Sequence, residues 1–348
     1  MPPEMRAACV RGRGEIEITR VPIPEPGAGE VRVAVEACGI CGSDLHLFGS
    51  GFFAPGTTPG HESAGRIDAL GSDVSGIASG TRVAIEPMRS CGTCTTCRRG
   101  AYSICRSAQL HGVNLPGGLA EYIVVPADRV HRVPSNLDPQ LAALAEPMAV
   151  VVHALARGGA AAGQRMLVLG AGAIGLLTLV AARRLGAAEL WITARHPHQL
   201  ELARALGATR VLNEAEAEAA ALDALGREAE IDLVIETVGG SADTLRAASA
   251  AVRPGGTISV VGLFLGGAAI DPLGLMMKEV TMAWSYCYGL RADRAGHSDF
   301  AEAIDVIAAE RDALAALVTH RFPLDQIARA FDVAGDRRDG AIKVSITP

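Results

Sequence analysis

Apolar and polar positions alternate from the start of the chain. Glu15-Ile16-Glu17-Ile18 and Val31-Arg32-Val33-Ala34-Val35 repeat every two residues, the period of a strand with one face buried. Pro22, Pro24, Pro26, Gly27 and Gly29 lie between the two runs and mark turns. The same texture returns at residues 64–67, 81–85, 122–125 and 130–133, which predicts a β-rich, barrel-like first region. At about residue 138 the period changes. Residues 141–157 form an Ala-rich helical stretch, and strands then alternate with helices. Strands are predicted at 166–169, 190–193, 210–213, 231–236, 257–262 and 280–284, with helices running to 186 and over 197–206 and 242–252. Such alternation predicts an α/β, doubly wound parallel sheet. The last sixty residues, with helices at 300–309 and 324–334 and strands at 318–322 and 341–346, break the alternation. They are expected to return and complete the first region.

Composition narrows the picture. A chain of 348 residues, nearly half of them apolar, exceeds one ordinary core and predicts two domains. A net charge of −6 without any dense basic block argues against nucleic-acid binding. Of the 32 basic residues only Lys278 and Lys343 are lysines. The first twenty residues contain no apolar run suited to a signal peptide. The longest uncharged run, 166–182, is short for a membrane span and contains Gly170, Gly172 and Gly175. A cytoplasmic protein is expected, with no membrane partner, whose eight cysteines serve as metal ligands or core residues rather than disulfides.

Candidate chemistry begins at Gly170-Ala171-Gly172-Ala173-Ile174-Gly175, a G-x-G-x-x-G run between a predicted strand and helix. In that context its glycines allow a tight turn and bring the helix N-terminus to a dinucleotide pyrophosphate. The acid that would hold a ribose 2′-hydroxyl belongs about 20 residues further on. Ala194 stands there, followed by Arg195 and His196. A guanidinium suits a 2′-phosphate, so NADP(H) is expected in preference to NAD(H).

Two ligand sets follow. Cys91, Cys94, Cys97 and Cys105 have the spacing of four thiolates closing a tetrahedral structural zinc; an iron–sulfur centre needs other spacing or surroundings. Cys41, His61, Glu62 and Glu146 offer a thiolate, an imidazole and one or two carboxylates, which leave a zinc position open for catalysis. Taken singly, His61 could be a core histidine, Glu146 a helix-start acid, and Cys38 with Cys41 a redox pair. A redox pair belongs at a helix start in a βαβ unit, whereas this one falls in the β-rich region.

These pieces together resemble a zinc-dependent medium-chain dehydrogenase of the alcohol dehydrogenase superfamily, nearest its sorbitol, threonine and butanediol dehydrogenase branch. The resemblance is carried by Cys41-Gly42-Ser43-Asp44-Leu45-His46, Gly60-His61-Glu62, the four-cysteine loop, Glu146-Pro147, residues 170–175 and Val318-Thr319-His320-Arg321-Phe322-Pro323-Leu324. It implies a GroES-like catalytic domain over 1–148 and 288–348, with a structural-zinc loop at 89–106, and a Rossmann domain over 149–287. It implies two zinc ions per chain, the catalytic one held by Cys41, His61 and Glu62 or Glu146. Asp44 would orient His61, Ser43 would take the alcohol proton, and His46 would pass it to solvent. Cofactor contacts would come from Gly170, Gly172, Ala173, Ile174, Gly175, Ala194, Arg195, His196, Thr237, Val261 and Lys343. The implied substrate is a small secondary alcohol or its ketone, and the implied assembly a homodimer or homotetramer through the edge strand at 280–284.

Three positions depart from the family pattern: Ala194 for a frequent Asp, Thr81 where Gly-Asp-x-Val is usual, and Cys287 where polyol dehydrogenases carry Arg. Phe48, Phe52, Phe53, Trp284, Tyr286 and Tyr288 are candidates to line the substrate pocket. Two other readings compete: a metal-free enone or quinone reductase on the same scaffold, which would lack the zinc ligands, and a non-catalytic zinc- and nucleotide-binding paralogue, in which Ser43 or His46 would be eroded.

Overall fold

Val31, Val33 and Val35 are all buried while the residues between them are half-buried, so the two-residue period seen along the chain becomes one face of a sheet. The computed structural model describes residues 2–290 and 298–348. The chain divides into two units, residues 1–146 with 289–348, and residues 147–288.

The first unit begins with β1 (Glu4–Gly12), β2 (Glu15–Pro22), β3 (Glu30–Ile40), α1 (Gly42–Ser50), β4 (Glu62–Leu70) and β5 (Arg82–Ile85). After these come β6 (Met88–Arg89), α2 (Thr95–Arg98), β7 (Gln109–Leu110), β8 (Tyr122–Pro126), β9 (Val130–Arg132) and α3 (Pro139–Ala142). The second unit runs through α4 (Ala145–Arg157), β10 (Arg165–Leu169), α5 (Ala173–Leu185), β11 (Glu189–Thr193), α6 (Pro197–Ala205) and β12 (Arg210–Leu212). It continues with α7 (Ala219–Ala229), β13 (Ile231–Glu236), α8 (Thr244–Ala251), β14 (Val252–Val260), α9 (Pro272–Met277) and β15 (Thr281–Trp284). The chain then returns to the first unit with α10 (Asp299–Ala309), α11 (Arg311–Leu314), β16 (Val318–Pro323), α12 (Ile327–Gly335) and β17 (Lys343–Thr347).

The main sheet of the first unit has the order β16-β17-β3-β4-β5-β9, with β8 also paired to β3. Its core gathers Val31, Val33, Ile67, Val83 and Val125 with Phe331 and Ile346 from the chain's end. The tail does return: β17 pairs antiparallel with β3, Ser345 opposite Gly39. The second unit is a six-stranded sheet in the order β12-β11-β10-β13-β14-β15, every pair parallel. The chain builds outward from β10 in one direction and then crosses to β13. This reversal is the switch point of a doubly wound fold.

Two helical expectations change. The stretch 141–157 is not one helix, because α3 ends at Ala142 and α4 starts at Ala145. Pro147 has no N–H to continue a helix from residue 143, and it sits instead in the first turn of α4, where that loss costs nothing. The break places Glu146 at a helix start. Also, α1 and α7 form where no helix was expected. In α7 the apolar stripe rests largely on Leu222 and Leu225, too narrow to stand out in an Ala/Glu-rich run.

Candidate functional site

Two neighbouring strands, β3 and β4, bring Cys41, His61 and Glu62 together. β3 ends at Ile40, so Cys41 becomes the N-cap of α1, with extended backbone (φ −88°, ψ 154°). Cys41 N–H donates to Asp44 Oδ2 at 2.9 Å, and the Cys41 side chain accepts from the Asp44 backbone in return. Asp44 Oδ1 then faces His61 Nδ1 at 3.3 Å, both side chains buried, as an ion-pair contact rather than an aligned hydrogen bond. With Nδ1 turned to Asp44, Nε2 is the ring atom left for an ion. The Cys41 Sγ, one His61 nitrogen and one Glu62 oxygen lie within 4.8 Å of one another.

Burial would lower the pKa of His61, but Asp44 and Cys41 outweigh it and hold the pKa well above the usual value. Glu146, buried in the first turn of α4, lies close enough to feel His61, Glu62 and Lys343, and burial pushes its carboxyl up to about 7. A proton-holding imidazole among carboxylates and a thiol is a donor set that a divalent cation suits, since it can replace the proton. The residues fit a zinc ion. Ser43 is half-buried and His46 exposed one turn further on, on the same side of α1.

The four cysteines converge as well. Their Sγ atoms are 3.8 Å apart for Cys91 and Cys97, 3.5 Å for Cys94 and Cys97, 3.8 Å for Cys94 and Cys105, and 3.6 Å for Cys105 and Cys91. A tetrahedron with metal–sulfur bonds of about 2.3 Å has edges of about 3.8 Å, so the spacing fits zinc without rearrangement. Backbone N–H groups at Thr93 and Cys94 hold the Cys91 thiol down at about 6, favouring the thiolate.

In the second unit, the expected nucleotide contacts gather at the carboxyl ends of the strands. Gly170 follows β10 with φ +102°, and its N–H donates to Thr193 Oγ1 at 2.8 Å. Gly172 is the N-cap of α5. At Gly175 a Cβ would stand 1.8 Å from the Gly170 carbonyl oxygen, so only glycine closes this turn. Ala173 and Ile174 open the helix whose N-terminal amides face the turn. Thr237, after β13, donates to the carbonyls of Leu169 and Gly170 at 2.8 and 3.2 Å. Val261 follows β14. Ala194 is buried at the end of β11, and Gln199 Oε1 accepts from the backbone of both Arg195 and His196. The Arg195 side chain is exposed and meets Glu214 at 3.1 Å. A glycine cradle with an open helix start fits a dinucleotide.

The remaining candidates lie as follows. Lys343, expected at the cofactor, is buried in the first unit with its Nζ 2.7 Å from both Glu62 oxygens. Of the candidate pocket aromatics, Phe48 packs edge-on against Phe331 at 4.9 Å, and Phe53 and Tyr288 are buried core residues. Phe52, Trp284 and Tyr286 are exposed. Cys38 is fully buried with its thiol pushed up to about 12, a core residue rather than half of a redox pair. One residue escaped notice in the sequence: Glu236, fully buried at the end of β13, accepts from Val238 N, Gly239 N and Thr244 Oγ1. An acid ending the apolar run Leu233-Val234-Ile235 was the available signal.

Residues 27–135 match the model of the alcohol dehydrogenase GroES-like domain, and residues 173–309 that of the zinc-binding dehydrogenase family. The chain is 32% identical to an L-threonine 3-dehydrogenase of Anaeromyxobacter sp. (strain Fw109-5), covering 95% of this chain and 96% of that protein. It is also 32% identical to a sorbitol dehydrogenase of Bacillus subtilis (strain 168), covering 100% and 98%. Among solved structures it is similar to a protein of Sinorhizobium meliloti 1021 assigned as a zinc-binding dehydrogenase and bound to NADP, at 30% identity and TM-score 0.86, covering 99% and 100%. The chain belongs to the zinc-type medium-chain dehydrogenases of the alcohol dehydrogenase superfamily. It is an oxidoreductase of that family.

Proposed function

We propose that this protein is a cytoplasmic, zinc-dependent dehydrogenase that interconverts a secondary alcohol (a polyol, sugar, cyclitol or similar) and its ketone, with NADP(H) preferred over NAD(H). The observation that carries the reading is the meeting of half-buried Cys41 with buried His61 and Glu62, in a chain that also supplies a nucleotide turn. Cys41, His61 and one of Glu62 and Glu146 would hold the catalytic zinc, and the four cysteines a structural one. Zinc held there would supply Lewis acidity, and a nicotinamide cofactor at the glycine turn would supply hydride chemistry. Asp44 orients His61 toward the ion. Ser43 takes the hydroxyl proton as the alcohol is oxidised, and exposed His46 hands it to solvent. In reduction the same groups return the proton.

The cofactor preference is supported by buried Ala194, which leaves no carboxylate to repel a 2′-phosphate, and by exposed Arg195. Its exposed pairing with Glu214 is of a kind worth about 0–1 kcal/mol, so a phosphate can displace it. A homodimer or homotetramer through β15, an edge strand carrying exposed Trp284, belongs to the same reading. The test is a reduction screen with NADP+ and NAD+ against secondary alcohols and polyols on protein of measured zinc content. Expected is zinc-dependent turnover with NADP+ favoured. Full activity after demetallation, or NADPH-driven reduction of enones alone, refutes it.

A further inference from the structure

β13 ends on Glu236, whose side chain is fully buried. A carboxyl group taken out of water costs free energy unless donors meet it, and an apolar residue would end the strand without that cost. Here the donors converge on one oxygen. Val238 N–H, Gly239 N–H and the Thr244 hydroxyl donate to Glu236 Oε1 at 2.8, 2.9 and 2.8 Å. They come from the loop that leaves β13 and from the first residue of α8. The other oxygen, Oε2, has no partner among the described residues. It fills the space beside Gly262, where a Cβ would stand 2.2 Å from it. The loop after β14 closes on the same residue. Val261 and Gly262 donate their N–H groups to the Glu236 carbonyl at 2.9 and 3.2 Å, and Gly240 N–H donates to the Leu263 carbonyl at 2.8 Å.

In a doubly wound sheet a dinucleotide lies across the carboxyl ends of the strands, one mononucleotide to each half. β10 and β11 supply the glycine turn and the Ala194–Arg195 end, which suit the adenosine half, so β13 and β14 are left to the nicotinamide half. We propose that Glu236 is a positioning residue for that half: it holds the loops after β13 and β14 in place beforehand, so that they need not be ordered on binding. This rests on the dinucleotide reading of the second unit. Gly239 and Gly240 have φ of +64° and +66°, and glycines lose the most freedom when a loop is fixed. Thr237 does not depend on the carboxyl group, since its N–H and hydroxyl both donate to Leu169 O, at 3.1 and 2.8 Å. Loss of the Glu236 side chain therefore frees residues 238–240 and spares the glycine turn.

The test is calorimetric titration of the full chain with a whole dinucleotide (NADP+ or NAD+, whichever wild type binds more tightly) and with its adenosine half, 2′,5′-ADP or ADP respectively. Glu236→Ala is expected to bind the dinucleotide roughly tenfold or more weakly, the scale of losing hydrogen bonds to a charged acceptor, and the adenosine half as wild type does. Glu236→Gln keeps an oxygen for the same donors and is expected to recover most of the lost affinity. Without cofactor, amide exchange at residues 238–240 is expected to quicken in Glu236→Ala and not in Glu236→Gln. A Glu236→Ala protein that binds the dinucleotide as tightly as wild type overturns the proposal. So does one that loses affinity for the adenosine half in the same proportion, or a Glu236→Gln protein as weak as Glu236→Ala. Should Glu236→Ala fail to fold, Thr244→Val decides, because it removes one donor and keeps the shape. Weaker dinucleotide binding with the adenosine half unchanged supports the proposal, and any other pattern overturns it. A wild-type protein that binds neither NADP+ nor NAD+ refutes the dinucleotide reading itself, and the role of Glu236 with it.

Discussion

Gly39 has an ordinary strand conformation, yet a side chain there has no room. An alanine there must displace Glu62, because its Cβ would lie 2.1 Å from the carboxylate. Gly39→Ala is expected to lower turnover roughly tenfold or more by disturbing a group behind the metal ligands, while cofactor affinity stays near wild type. Unchanged turnover would contradict the packing of Glu62 over β3. Much of this was legible at the residue scale. Cys41, His61 and Glu62 announce themselves by type and local spacing. Gly39 and Lys343 do not, since what matters about each is a neighbour on another strand.

At the scale of elements, the β10–α5 turn depends on one contact. Gly175 sits under the Gly170 carbonyl with room for no side chain. Gly175→Ala is expected to weaken nucleotide binding roughly tenfold or more, because the helix amides move off the phosphate position. Cobalt or zinc content should not change, and calorimetric titration with NADP+ and NAD+ reads the difference. The glycine spacing made this turn readable in advance. The split between α3 and α4 was less so, although Pro147 carried the reason. A proline six residues inside a helical pattern reads equally as a late start or an interruption, and the break puts Glu146 in the first turn of α4.

Across the first unit, Glu86 ties separate parts together. It follows β5, accepts from Arg129 and meets His131 Nε2 at 2.6 and 2.8 Å, and the Arg129 guanidinium covers the Tyr102 ring at 4.6 Å. Burial works against the Glu86 charge, but the His131 hydrogen bond and the Arg129 charge outweigh it and hold the carboxyl below its usual range. A depressed folded pKa contributes stability that is fully present above the unfolded value and lost as pH falls through the folded one. Glu86→Gln leaves Arg129 with one partner fewer in a buried setting, a loss of about 3–5 kcal/mol at neutral pH. Thermal unfolding across pH should show a lower Tm near neutrality and a flatter acid limb for the variant. A parallel acid limb would count against this role. Removing the metal of the cysteine loop acts at the same scale: Cys94→Ser is expected to remove one zinc per chain and lower the Tm, since the free energy of that site adds to folding. Elemental analysis with calorimetry checks both, and an unchanged Tm would argue that the loop folds without metal.

The sequence by itself determined the class of the protein. Metal donors, the glycine turn and the change from a two-residue to a helical period are all local, set within a few residues by chemistry and backbone geometry. It also placed the tail with the first region, because the βα alternation stops there. Only the tertiary structure decided which donors meet and what restrains them. Glu62 and Lys343 are 281 residues apart and touch because β4 and β17 both pair with β3 in one register. A slip of one residue would send each side chain to the opposite face. Such register is settled by packing the whole sheet, so no local stretch of the chain records it.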